Sequence, residues 1–408
     1  MGIFKEIPPT AGFPLYLKDI FSIFSKETNT DTLENHFKAY LKIPYTQITY
    51  SGTAAFYLIL ETIKKLSPRK TVIIPAFICP LVPLAIKRAG LVVKVCDIQK
   101  DNFNFNYDEL RKMCENNTDI LAIVPTHLAG IPVDMDKTVE IAHKNGIYII
   151  EDCAQSLGAE YKGKKIGTIG DFAFFSLCRG KGLTVYEGGV ITTHNPEYGA
   201  KIDATIKQLV KNNFCSETLK VIELIGYWFI YRPQLFWWAY RLPQIFWNLR
   251  GEEIRAFTEY YTDDFPIHKI SGFRKKFGSV AFFRLKDAIE QQRHYAFYYI
   301  ESLKDIPGIK IITEPEETKA TYPYLTLIFN ESIKRSKVFD ALYASGLGIS
   351  QIYACAITEY KYLRNIIQNK SCPNAQSLSL RQITLSTSIF LDKNTLRTVI
   401  NKLENFKY

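Results

Sequence analysis

Residues 120–154 read ILAIVPTHLAGIPVDMDKTVEIAHKNGIYIIEDCA, and this stretch decides the fold. ILAIVPT (120–126) is a short apolar run, VDMDKTVEIAHKNG (133–146) follows a helical pattern that stops at Gly146, and YIIEDCA (148–154) is a second apolar run. Two strands that are apolar on both faces, joined by a helix, predict parallel pairing inside a sheet covered on both sides. The same alternation extends towards the N-terminus. TVIIPA (71–76) precedes the helical LVPLAIKRAG, and LVVKVCDI (91–98) precedes the helical NYDELRKMCENN. From about residue 47 to 195 the chain reads as α/β with a mostly parallel central sheet.

Beyond residue 300 the rhythm changes. GIKIITE, TYPYLTLIF and RQITLST read as strands separated by helices such as SIKRSKVFDALYASG, which predicts a smaller α+β domain. A helix over 282–306 is expected to connect the two parts. The organisation expected is an N-terminal arm (1–34), a large domain (35–205), an aromatic-rich insertion (206–265), and a linking helix with a small C-terminal domain (266–408). Within the insertion, VIELIGYWFIYRPQLFWWAYRLPQIFWNLR (221–250) holds all four tryptophans, with Arg232, Arg241 and Arg250 spaced nine residues apart. Two prolines and the polar residues leave no apolar run long enough to span a bilayer. Tryptophan, tyrosine and arginine together suit a membrane interface, and they suit equally a helical hairpin packed on its own protein or on a partner subunit.

Composition narrows the class without deciding it. At 47% hydrophobic and 23% charged, the 408-residue chain is neither disordered nor fibrous. A net charge of +10 favours anionic partners. No helix carries a base-reading basic face, so nucleic acid is not expected. The eight cysteines form no C-x-x-C pair and no regular framework, as in a reducing cytoplasmic setting. No export signal is evident at the N-terminus.

Four features carry chemistry. Lys181 sits between glycines in DFAFFSLCRGKGLTVYEGG, on a turn that follows an apolar strand. Asp152 ends the strand YIIED, and a carboxylate at that end points into the crevice where open α/β sheets bind ligands. Glu151 faces the opposite side of the strand. Ser51-Gly52-Thr53-Ala54 lies between the extended YTQITY and the helical AAFYLILETIKKL, and a helix N-terminus there offers free N–H groups to a phosphate. The Ser176 hydroxyl, five residues before Lys181, could add a further bond to that phosphate. His127 follows another strand end. No second ligand lies at metal spacing along the sequence, so a ring contact or packing is expected of it, and no metal site. An amine, a buried acid and a phosphate cradle are what pyridoxal 5'-phosphate (PLP) asks of a protein. Each feature alone has a bland reading; a lone Gly-Lys-Gly is more often a hairpin tip.

Their order is more specific. SGTAAFYLIL, IIPAFICPLVPLAI, IVPTHLAGIPVDMD and IIEDCAQSLGAEYKGKKIGTIGDFAFFSLCRGKGLTVYEGG resemble, in that sequence, the DegT/StrS-type nucleotide-sugar aminotransferases, a branch of the fold-type I PLP enzymes. The resemblance covers about 35–195 and returns in CPNAQSLSLRQITLSTSIFL near the end. It implies that Lys181 is the Schiff-base lysine and Asp152 the acid facing the pyridine nitrogen. It implies too that Gln155 contacts the ring hydroxyl, and that Gly52, Thr53, Ala54 and Ser176 bind the phosphate. Relatives in which histidine replaces the lysine act as dehydratases, so the lysine here favours amine transfer. Two positions depart from the pattern. Cys79 stands where the family has an aromatic residue stacked on the ring, which leaves that contact to Phe77 or His127. SGFRKKFGS (271–279) is the nearest match to a family loop that crosses the dimer interface, and it lacks the expected asparagine.

The resemblance therefore predicts a homodimeric, cytoplasmic aminotransferase. It would move an amino group from a donor such as glutamate to a keto-sugar, nucleotide-linked, for surface polysaccharide or glycoconjugate synthesis. Rival readings are a dehydratase or non-sugar PLP enzyme, an enzyme acting on a lipid-linked substrate at the inner membrane face through residues 221–250, and a non-catalytic scaffold.

Overall fold

Seven strands form the central sheet: β1 (Tyr45–Thr49), β2 (Thr71–Pro75), β3 (Val92–Cys96), β4 (Ile120–Ile123), β5 (Tyr148–Asp152), β6 (Phe172–Ser176) and β7 (Gly189–Thr193). Their order across the sheet is β1-β7-β6-β5-β4-β2-β3. The computed structural model describes residues 4–13, 15–22, 32–256, 259–367 and 370–406; residues 23–31 of the expected N-terminal arm lie outside the described residues. The pairs from β3 through β6 are parallel, and β7 alone runs antiparallel to its neighbours β6 and β1. β2, β4 and β7 are buried at every position, because helices cover both faces, as continuous apolar strands require.

The crossover helices start where the sequence supplies caps. Asn106 accepts from the Glu109 N–H, Asp134 from the Lys137 N–H, and Ser51 from the Ala54 N–H. Gly146, at φ 59°, ends the helix Met135–Lys144 in the left-handed region that glycine tolerates.

The smaller part is a three-stranded antiparallel sheet, with Tyr324–Phe329 between Ile309–Ile312 and Gln382–Ser386. The long helix Leu285–Leu303 packs against its central strand. The helix expected over 282–306 runs Leu285–Leu303, and a separate helix, Gly272–Phe282, which takes in most of SGFRKKFGS, precedes it. Arg284 sits at the elbow, where the buried Asp19 carboxylate holds it at 2.8 and 2.6 Å. A minor sheet joins the two parts, Thr318–Lys319 pairing with the hairpin strand Glu160–Tyr161.

The insertion is helical. Phe214–Ile230 leads into Pro233–Phe236, a π-helical turn at Trp237–Arg241, and Leu242–Leu249. Pro243 lacks an N–H for the preceding turn, and the wider turn absorbs the defect, with the Leu242 N–H bonding the Trp237 carbonyl. Among the described residues, no helix is long and apolar enough to cross a membrane.

Candidate active site

The sheet's connectivity brings the ends of four strands to one rim. β5 ends at Asp152, β6 at Ser176 and β1 at Thr49, while β7, running the other way, starts there with Gly189. The register aligns Ser176 with Gly189 and Thr49 with Gly189. Ser51 therefore enters the helix Gly52–Ile63 right beside the end of β6. A side chain on Gly189 would put Cβ 2.2 Å from the Ser51 carbonyl oxygen, so only glycine allows this approach. A Cβ on Gly52 would lie 3.1 Å from that of Ser176. The Ser51 hydroxyl accepts from the Ala54 N–H at 3.1 Å. That leaves the N–H groups of Gly52 and Thr53, which no turn of the helix can satisfy, at a helix start that packs against Ser176. A helix start of this kind can accept a phosphate.

Asp152 is held from three directions. Its N–H donates to the Pro125 carbonyl at 2.8 Å, its carbonyl accepts from the His127 N–H at 3.1 Å, and its carboxylate accepts from the Ala154 N–H at 3.0 Å. Burial raises the carboxyl to about 6, against the Ala154 N–H and the charges of Lys181 and His127, which pull it down. A fixed, water-poor carboxylate of this kind gains from a cationic ring nitrogen placed against it.

Lys181 stands on a turn closed by its own N–H donating to the Cys178 carbonyl at 3.2 Å. The turn needs Gly180 at φ 77°. The half-buried lysine acts electrostatically on both Asp152 and Cys79. Burial pushes the Cys79 thiol up to about 12, which makes it a neutral wall of the site.

His127 is fully buried. Its Nδ1 accepts from the Val133 N–H at 3.1 Å, and its Nε2 lies 3.4 Å from a Glu151 carboxylate oxygen without hydrogen-bond alignment. Glu151 and Cys153 lie beside His127 in space although no such partner stands at metal spacing in the sequence. The three atoms could in principle face one cation. The Glu151 oxygens, however, already accept from the Gly167, Ile169 and Gly170 N–H groups at 2.9, 2.8 and 2.7 Å. Glu151 is thereby an anchor for the loop that leads into β6, and His127 braces Asp152 from behind. Phe77 is also buried, packed edge-on against Tyr353 at 5.3 Å.

The small domain adds residues that the sequence reading did not single out. Gln155 accepts from the Ala129 N–H at 3.1 Å and from the Tyr324 hydroxyl, and its amide lies 3.4 Å from the Tyr353 hydroxyl. Tyr353, Tyr324 and Gln155 thus link the small domain to the rim. Behind them the buried Glu259 accepts from the Ala354 N–H at 3.1 Å and from the Tyr360 hydroxyl, and this pins the Tyr353 loop. The only sequence signal for this group was the tyrosine-rich run around ISQIYACAITEYKY (349–362).

SGFRKKFGS is not an extended loop in this chain. Ser271 caps the helix, and Arg274 is fully buried, bonding Glu217 through Nε at 3.1 Å and Nη2 at 2.5 Å and donating to the Glu187 carbonyl. This ion pair fixes the segment that follows the Lys181 turn.

Comparisons with known proteins agree with this layout. Residues 22–226 and 268–404 match the model of the DegT/DnrJ/EryC1/StrS aminotransferase family, and the stretch between them lies outside the match. The UDP-4-amino-4,6-dideoxy-N-acetyl-beta-L-altrosamine transaminase of Campylobacter jejuni is 25% identical over 95% of this chain and 93% of its own length. The GDP-perosamine synthase of Escherichia coli O157:H7 is 32% identical, over 42% of this chain and 47% of that protein, so the chain spans about half of it. The structure of Helicobacter pylori PseC, an aminotransferase involved in the biosynthesis of pseudoaminic acid, superposes with a TM-score of 0.76 at 16% identity, over 98% of each chain. At that identity it shows the shared fold alone, which is the fold-type I architecture. The family match takes in β1 to β7, the Lys181 turn, Asp152 and the small domain, and on that evidence the chain belongs to the DegT/DnrJ/EryC1/StrS aminotransferase family.

Proposed function

We propose that this protein is a PLP-dependent aminotransferase that moves an amino group from a donor such as glutamate to a nucleotide-linked keto-sugar, for surface polysaccharide or glycoconjugate synthesis. The observation that carries the reading is the convergence on one rim of the Lys181 turn, the buried Asp152 and the Gly52–Thr53 helix start beside Ser176. The residues fit PLP: the glycine-only approach at Gly189 shapes the phosphate cradle, and the raised Asp152 carboxyl is suited to a cationic ring. When bound, the cofactor supplies an electron sink for the substrate's α-carbon.

The chain's own groups do the rest. Gly52, Thr53 and Ser176 hold the phosphate, with Ala54 closing the turn. Asp152 would face the ring nitrogen and favour its protonated form, and Gln155, oriented by Tyr324 and Tyr353, would meet the ring hydroxyl. Lys181 anchors the cofactor covalently. Its amine, when free, would take a proton from the substrate carbon and hold it for return. Cys79, its thiol kept neutral by burial, would wall the site, and the buried His127 would stand behind Asp152. The net positive charge favours a diphosphate-bearing substrate. In this reading the protein is a homodimer in the cytoplasm, peripheral to the inner face of the membrane.

The test is the visible spectrum of the purified protein. A yellow protein that glutamate bleaches and a keto-sugar restores is the expected result. A protein that takes up no added PLP would overturn the proposal.

A further inference from the structure

The helix Pro233–Leu249 sorts its side chains sharply between two sides. Arg241 and Gln244 face inwards and are buried. Arg241 donates to Glu6 at 2.8 Å, to Gln244 at 3.1 Å and to the Tyr343 carbonyl, and its guanidinium lies 4.1 Å from the Tyr343 ring centre. On the other side Trp238, Leu242, Ile245, Phe246 and Leu249 form a stripe at helical spacing, all of them exposed, Leu249 by 84%. The nine-residue arginine repeat is therefore not uniform, because Arg232 and Arg250 are exposed while Arg241 serves the interior. Arg250 lies 4.1 Å over the Phe246 ring, and Arg232 lies 5.3 Å over Trp228. Neither has an acidic partner among the described residues. No aspartate or glutamate occurs from Leu224 to Gly251.

We infer that this stripe, with Arg232 and Arg250, docks the protein on an anionic lipid surface. Apolar side chains would enter the headgroup boundary while arginines paired with aromatic rings meet lipid phosphates, the arrangement an interfacial helix requires. The helix is too short and too interrupted to cross the bilayer, so it lies on the surface. A second copy of the chain is a poorer occupant. A two-fold interface sets the same patch against itself, and this patch has no acid to answer its own arginines. The helix also lies wholly outside the family match, so it is no part of the architecture shared across the family. Its root touches the active site's frame: Tyr227 packs 5.9 Å from Tyr186, on the segment that follows Lys181, and 4.6 Å from Tyr231. The assignment stands independently of the reaction catalysed.

The test is co-sedimentation of the PLP-loaded full chain with phosphatidylcholine vesicles, with and without phosphatidylglycerol, at low and high salt. Wild type should pellet with the anionic vesicles and be released by salt. R232Q/R250Q should bind roughly thirtyfold more weakly, at about a factor of five per cationic side chain lost. F246S/L249S should lose binding with its cofactor absorbance intact, which excludes misfolding. Wild type that stays in the supernatant with both vesicle types would overturn the inference, as would arginine variants that bind like wild type. So would light scattering that shows F246S/L249S to be a monomer where wild type is a dimer, since a second copy would then be the occupant. Failure to take up PLP would count against the aminotransferase reading and leave vesicle binding to be judged on the apo chain.

Discussion

The rim around Asp152 and the helix Pro233–Leu249 depart from ordinary burial in opposite directions. At the rim, acids and a histidine sit where water is scarce: Asp152, Glu151 and His127 are all buried. On the helix, a tryptophan and a row of aliphatic side chains sit where water is abundant. Each departure costs stability unless something compensates. At the rim the compensation is internal and complete for Glu151, whose oxygens take three N–H groups, and partial for Asp152, which takes one. For the exposed stripe nothing inside the molecule compensates. The contrast teaches that an incompletely answered group is the informative one. Asp152 calls for a cation from a ligand, and the stripe calls for an apolar surface from outside.

Several substitutions would break or sharpen the contrast. The largest effect is expected from Lys181→Ala, which should lower amine transfer about a thousandfold or more and abolish the glutamate-bleachable absorbance; retained turnover would remove the rim from the chemistry. Next is Arg241→Ala. It leaves Glu6 buried without its partner and should cost about 3–5 kcal/mol in a denaturant titration, with partial recovery when Glu6→Gln is added. A smaller and opposite change is expected from Asp152→Asn in the cofactor-free protein. The folded carboxyl titrates near 6 against an ordinary 3.8, so its proton favours the folded state. That contribution is full below about pH 4 and is lost as pH rises through about 6. At pH 7 the asparagine variant should therefore unfold later than wild type, by on the order of 2 kcal/mol, while binding PLP far more weakly. The advantage should vanish near pH 4; an advantage independent of pH would mean that burial of the charge is not its cause. The smallest effect is expected at the stripe, where Leu249→Ser should change stability by no more than about 0.5 kcal/mol. A larger loss in urea would show that the side chain is covered in the native assembly.

Much of the large domain was legible in the sequence, because strand ends in a parallel sheet announce themselves. Apolar runs stop at Asp152 and Ser176, and the glycine-flanked Lys181 follows within a few residues of the latter. Local chemistry of that kind survives translation into three dimensions. Contacts made over long separations do not. Tyr324 and Tyr353 reach Gln155 across 169 and 198 residues, and nothing in their surroundings points to it. Glu151 read as the idle neighbour of Asp152, and only the fold brings three backbone donors from residues 167–170 onto it. The arginine repeat was illegible in another way. Its even spacing could not tell the three apart, and the π-helical turn before Pro243 helps to set which of them faces inwards. The helix over 282–306 was legible from its periodicity, whereas the elbow at Arg284 that starts it is held by the distant Asp19.

The threads that tie Glu6 to the insertion continue along the early chain. The Glu6 N–H donates to the Pro233 carbonyl, the Ile7 N–H to Gly346, and the Pro8 carbonyl accepts from Ser386 across 378 residues. During synthesis, this segment must wait for partners that emerge more than two hundred residues later. The sheet can close from its own local crossovers in the meantime. The insertion helix and the small domain would then be clasped together last, by a strap that had waited for both. A peptide fused close to Glu6 would interfere with that final clasp before it disturbed anything at the Lys181 turn.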